Sequence, residues 1–163
     1  MKRAISVTLI IALVIMARAT PGFAQSDITR AGGAEFFGFK TYWADRPDGC
    51  RPMVSLTVKN VSAAAVGAIE FRMEVLDKDQ NSVFASGSAS LAADDLPPGQ
   101  IRDFAIGVDR PITPRDCRGD MHQSPLSGIH FSVRLTAKIG ADPTGVEILP
   151  DAPMAQIRVP VQD

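Results

Sequence analysis

Very few of the 163 residues stand where they could do chemistry. There are two histidines, His122 and His130, and neither sits beside a recognisable nucleophile motif; G-x-S-x-G is absent. Both are read as surface histidines, and a hydrolase site assembled from distant residues is the minor alternative. Met121 and His122 stand near Cys117, Asp116 and Asp120. An exported blue-copper centre needs two His, a free Cys thiolate and a Met. Only one of those His is local, so no copper and no other cofactor is expected. Asp77, Asp79 and Asn81 supply the alternating oxygens that open a calcium loop. An EF-hand then needs Gly at its sixth position and Glu at its twelfth. Ser82 and Ser88 stand there instead, and Asp and Asn are also the residues that close hairpin turns through local hydrogen bonds. The stretch from Asp77 to Asn81 is therefore read as a turn, with weak calcium binding at its tip left open. Asn60-Val61-Ser62 matches a glycosylation sequon, but Asn60 is read as a turn residue.

Cys50 and Cys117 are the only cysteines. Their separation excludes a local Cys-x-x-Cys redox or zinc motif, and an even count in an exported chain points to a disulfide. Export itself is expected from residues 1–24. Lys2 and Arg3 precede an apolar run over residues 4–16, too short to span a bilayer, and Gly22-Phe23-Ala24 offers small residues at a cleavage site. This stretch reads as a cleaved signal peptide, leaving residues 25–163 as one domain in the periplasm or medium. Removing Lys2, Arg3 and Arg18 from 17 basic and 18 acidic residues leaves a mildly acidic, evenly mixed chain. Such a chain has no electrostatic footprint for nucleic acid or an anionic membrane.

These residues must be positioned by strands. Residues 53–76 form the centre of the pattern. Val54, Leu56 and Val58 alternate with polar neighbours, then Ile69, Phe71, Met73 and Val75 alternate with Glu70, Arg72 and Glu74. Alternation places each apolar set on one strand face. The short connection between the two predicts an antiparallel hairpin. Residues 129–139 repeat the pattern, with Ile129, Phe131, Val133, Leu135, Ala137 and Ile139 on one face. Further strands are expected over residues 82–88, a Ser-rich edge, over 102–108, and around Ile157, Val159 and Val161, where Pro160 marks a sheet edge. Residues 44–52, 109–128 and 140–153 are expected to be loops, and no convincing helix is present.

Residues 34–43 are the aromatic strand. A strict period of two sets Phe37, Phe39 and Trp43 on one face and Phe36 and Tyr42 on the other. The core can take only one of the two faces. The other face is read as covered by a loop or edge, or else as exposing aromatics to a partner. Phe36, Phe37, Tyr42 and Trp43 are thus the candidate partner-binding residues.

About seven strands at this spacing predict an all-β fold, an antiparallel β-sandwich of the immunoglobulin or fibronectin-III kind. Val58-Lys59-Asn60, then Val75-Leu76-Asp77, then Leu96-Pro97-Pro98-Gly99 and Phe104 resemble the turns and strand ends of FxLYD-like domains of bacterial exported proteins. Met73, Val75 and Leu76 replace the Phe, Leu and Tyr that name that family. The resemblance covers residues 54–108 and implies extracellular binding or scaffolding, with no catalytic residues to carry over. The function expected is therefore non-enzymatic: an exported module that binds another exported protein or stabilises an assembly. The alternative is a small-ligand or glycan binder that uses the exposed aromatics.

Overall fold

The structure is a computed structural model that describes residues 28–46, 49–77, 81–110, 131–154 and 158–160. It is a β-sandwich, as the alternation requires. Nine strands occur among the described residues, where about seven are expected: β1 (Thr29–Ala31), β2 (Ala34–Arg46), β3 (Gly49–Asn60), β4 (Ile69–Asp77), β5 (Ser82–Leu91), β6 (Ile101–Gly107), β7 (Phe131–Ile139), β8 (Val146–Pro153) and β9 (Arg158–Pro160). The first sheet runs β1-β2-β3-β6, with β9 also on β2; the second runs β5-β4-β7-β8. Every pairing is antiparallel except that of β9 with β2, which is parallel.

The largest departure from expectation concerns the central pair. β3 and β4 are consecutive and similarly patterned, yet they belong to opposite sheets. β3 pairs with β2 and β6, and β4 pairs with β5 and β7. Alternation states which side chains are buried, not which strand is hydrogen-bonded to which. Two strands facing each other across a core carry the same pattern as two strands side by side.

Asn60 anchors the crossover. It is wholly buried at the end of β3. Its Nδ2 donates to Ala64 O and Leu96 O, both at 2.9 Å. Its Oδ1 accepts from Ser62 N–H and Ser62 Oγ, both at 2.8 Å. Its backbone N–H donates to Gln100 O, and its carbonyl accepts from Gly99 N–H. One side chain therefore joins the 61–68 crossover to the Leu96-Pro97-Pro98-Gly99 turn. Burying an amide is tolerable because its donors and acceptor are all engaged.

Between the sheets Phe71 of β4 meets rings from the first sheet. It stands edge-on to Phe36 at 6.2 Å and tilted against Phe104 at 5.0 Å. Val54, Leu56, Val58, Val133, Leu135 and Ala137 fill the same layer, as their alternation predicts. Two stretches expected to be loops are strands. β2 and β3 pair as far as Arg46 and Gly49, within a segment rich in Pro and Gly. β8 contains Pro150 and Pro153 and breaks register twice against β7. It is tolerated because it lies at a sheet edge, where one side of the strand needs no ladder bonds.

Candidate interaction surface and the pocket opposite

The aromatic strand is not a simple alternation. β2 pairs Phe37 with Thr57 but Lys40 with Ser55, so a bulge lies between them. Gly38 sits in it at φ +66°, a left-handed conformation open to glycine and strained for larger residues. The bulge changes the phase of the strand. Ala34 and Phe36 point inward before it, and Phe39 and Trp43 point inward after it. Phe36 and Trp43 are both 0 % exposed.

The candidate set therefore divides. Phe36 and Trp43 are core residues and can touch no partner, which corrects the expectation for both. Phe37 and Tyr42 lie half-buried on the outer face of the first sheet. A core does take aromatics from both parities of this strand, because Gly38 rephases it. That glycine within an aromatic run was the signal available in the sequence. Trp43 Nε1 is buried with no hydrogen-bond acceptor among the described residues.

Register builds the outer face row by row. Tyr42 lies opposite Met53, and Met53 opposite Gly107. The Met53 thioether occupies the space where a Cβ on Gly107 would stand. Lys40, Ser55 and Ala105 form the next row, then Phe37, Thr57 and Asp103. In that row Thr57 Oγ1 donates to Asp103 Oδ1 at 2.7 Å. Glu35, Lys59 and Ile101 close the face, with Ile101 57 % exposed. Burial raises the pKa of the Tyr42 phenol above its ordinary value of 10.0, because the phenolate loses water among these neighbours. Met53 and Gly107 had no candidate role in the sequence. Their signal was positional: Met53 is one of the outward set of a strand whose inward set is aliphatic.

The second sheet's outer face has a different content. Glu74 lies between Arg72 at 3.1 Å and Arg134 at 3.8 Å, and Arg134 reaches Glu147 at 3.4 Å. At one end of this face an open hollow of about 390 Å³ is lined by Leu76, Asp77, Asn81, Ser82, Val83, Ser132, Arg134 and Asp151. Ser132 is fully buried and donates its hydroxyl to Asp151. Asp77 and Asn81 of the candidate calcium loop do share this hollow, joined by Asp151, but Asp79 lies outside the described residues. No group of three or more potential metal-ligating side chains occurs among the described residues.

Cys50 is buried at the start of β3, and Cys117 lies outside the described residues. His122 and His130, Met121, and the whole of residues 1–24 also lie outside them. The sequon residue Asn60 is inaccessible to a sugar in the folded protein, since its amide nitrogen is buried with both donors used. No helix among the described residues is long and apolar enough to cross a membrane.

No protein-family model matches the chain, and no curated protein does. Among solved structures, part of the chain is similar to a β-glucuronidase from glycoside hydrolase family 2, with a TM-score of 0.41 and 14 % sequence identity. The likeness covers 67 % of this chain and 10 % of the enzyme chain. The chain thus spans about a tenth of the length of that enzyme, and a likeness of this degree carries no functional argument.

Proposed function

We propose that this protein is a non-enzymatic exported β-sandwich that binds another exported protein through the outer face of its first sheet. The observation that carries this reading is the row Tyr42, Met53 and Gly107, with Phe37 two rows away. Aromatic and Met side chains are enriched at the cores of protein interfaces, where charges are depleted. Here Tyr42, Met53 and Phe37 share one face with Lys40, Asp103, Glu35 and Lys59, while the other carries the linked ion pairs of Arg72, Glu74, Arg134 and Glu147. Phe36 and Trp43 are buried, so the alternative reading as a glycan binder retains only Phe37 and Tyr42 for stacking on a sugar. In the same reading residues 1–24 are a cleaved signal, the protein works in the periplasm or medium, and Cys50 is bonded to Cys117. The resemblance of the turns around Asn60 and Leu96 to exported FxLYD-like domains supports a binding or scaffolding role.

The test is site-specific photocrosslinking in cells. A photoreactive residue at Tyr42 or Met53 should trap one defined exported protein, and the same residue at Arg72 should not. Equal crosslinking from both faces, or none from Tyr42 and Met53, defeats the proposal.

A further inference from the structure

Gly107 ends β6, and its backbone does not ask for glycine, because its φ is not positive. A glycine in a strand weakens it and often marks the close approach of something else. The space that its missing Cβ would fill shows what approaches. Among the described residues the nearest atoms there belong to Met53: Sδ, which a Cβ would overlap, and Cε, which would lie at 3.3 Å. Pro52 O follows at 3.6 Å. β3 lies between β2 and β6 in the sheet, so Met53 leans across to β6 and away from Tyr42 on β2.

The strand itself cannot retreat from a side chain added at residue 107. Val108 N–H donates to Pro52 O of β3 at 3.4 Å, and Asp109 N–H donates to Ser86 O of β5 at 3.1 Å. The Gly107 carbonyl meets the buried Gly87 of β5. A Cβ on Gly87 would overlap Gly107 O and lie 2.8 Å from Val108 Cα. The end of β6 is thus held from both sheets at once. Met53 is the yielding part, because it is half-buried and its unbranched side chain has three rotatable bonds. A methyl group at residue 107 must therefore move the thioether and not the strand.

We propose that Gly107 is a positioning residue of the interface on the first sheet: it lays the Met53 thioether over β6 and so fixes the shape a partner meets beside Tyr42. This rests on the interface proposed above, and adds that Gly107 acts through Met53 and not by touching the partner. A contact from Gly87 to Gly107 to Met53 carries the position of the second sheet's edge strand onto the outer face of the first.

Methionine methyl NMR and photocrosslinking from Tyr42 together test this. Gly107→Ala should keep its cooperative melt and shift the Met53 methyl resonance, while the resonances of the core methionines Met73 and Met154 stay where they are. A merely structural role would disturb the core pair as well. Trapping of the exported protein from Tyr42 should fall several-fold in Gly107→Ala and in Met53→Ala. The double variant should trap no less than Met53→Ala alone, since two residues that act through one side chain are not additive. A further loss in the double variant would mean that residue 107 touches the partner itself, and overturns the proposal. So does a Met53 methyl that stays in place, a Gly107→Ala that traps like the parent, or one that loses its cooperative melt. A parent that traps nothing defeats the interface, whereas any of the other failures with trapping intact in the parent defeats only the role of Gly107.

Discussion

The two outer faces of the sandwich are built on the same strand geometry and differ in how their side chains are linked. The second sheet shows water a ladder of charges, in which Glu74 is shared by Arg72 and Arg134, and Arg134 also reaches Glu147. The first sheet shows a row of Tyr42, Met53 and Gly107, with Phe37 beyond. Both faces cover the same core and need the same backbone hydrogen bonds. Stability therefore does not explain the difference: exposed ion pairs contribute little, and half-buried outward aromatics contribute less than inward ones. A face that water alone touches can be charged throughout. On a face that a partner covers, charges such as Lys40 and Asp103 need partners across the contact, because burying an unpaired charge is costly.

The comparison presupposes that inward and outward are correctly assigned, and the largest expected effect tests that. Leu135 is wholly buried between the sheets. Leu135→Asp should cost several kcal/mol and abolish a cooperative melt, since a buried carboxylate has no partner there. A melt near that of the parent would mean that the faces of β7 are reversed.

Next in size is the contrast across the bulge. Phe36→Ala should destabilise by about 3–5 kcal/mol through the cavity it leaves against Phe71. Phe37→Ala, one residue away, should shift stability by about 1 kcal/mol or less, as surface substitutions do. Denaturant melts of the two variants measure both, and similar losses would place Phe37 in the core.

Asn60→Ala should follow, at about 2–4 kcal/mol, because it strands the buried Leu96 O and the half-buried Ser62 N–H. It tests the crossover that sends β3 and β4 to different sheets. An unchanged melt would show that the crossover holds without it.

Tyr42→Ala should leave melting nearly unchanged and weaken the partner by about 2 kcal/mol, roughly thirtyfold in affinity. Tyr42 is the only tyrosine, so its phenolate absorbance can be followed alone. The titration midpoint should lie above the ordinary 10.0. The sign follows from linkage. A folded-state pKa raised above the unfolded one favours the folded form while the phenol is protonated. That contribution is lost as pH rises through the two values. A bound partner should move the midpoint higher still, whereas a binding site on the other sheet would leave it where it is.

The smallest effect belongs to the charged face. Arg134→Ala should cost no more than about 1 kcal/mol, with no loss of partner, since its two carboxylates stay solvated. A loss of binding equal to that of Tyr42→Ala would remove the distinction between the faces.

The sequence by itself determined which residues are buried wherever a strand is regular. Val54, Leu56 and Val58, then Ile69, Phe71, Met73 and Val75, then Phe131, Val133, Leu135 and Ala137 are inward as alternation demands. It also marked the Ser-rich strand and the strand of Pro160 as edges, since neither carries what a central strand needs. Alternation is a local property, and it reports burial because each side chain has only two directions to take. Tertiary structure decided the rest. It sent β3 and β4 to opposite sheets, because the same pattern serves neighbours in a sheet and neighbours across a core. It placed Phe36 and Trp43 together inside, because a bulge at Gly38 adds residues without adding partners and so reverses every side chain after it. It made Asn60 a buried hub, because only the folded chain brings Ala64 and Leu96 to one amide. It joined Tyr42, Met53 and Gly107 into a surface, because register between strands far apart in sequence is set by the packing of their inward faces.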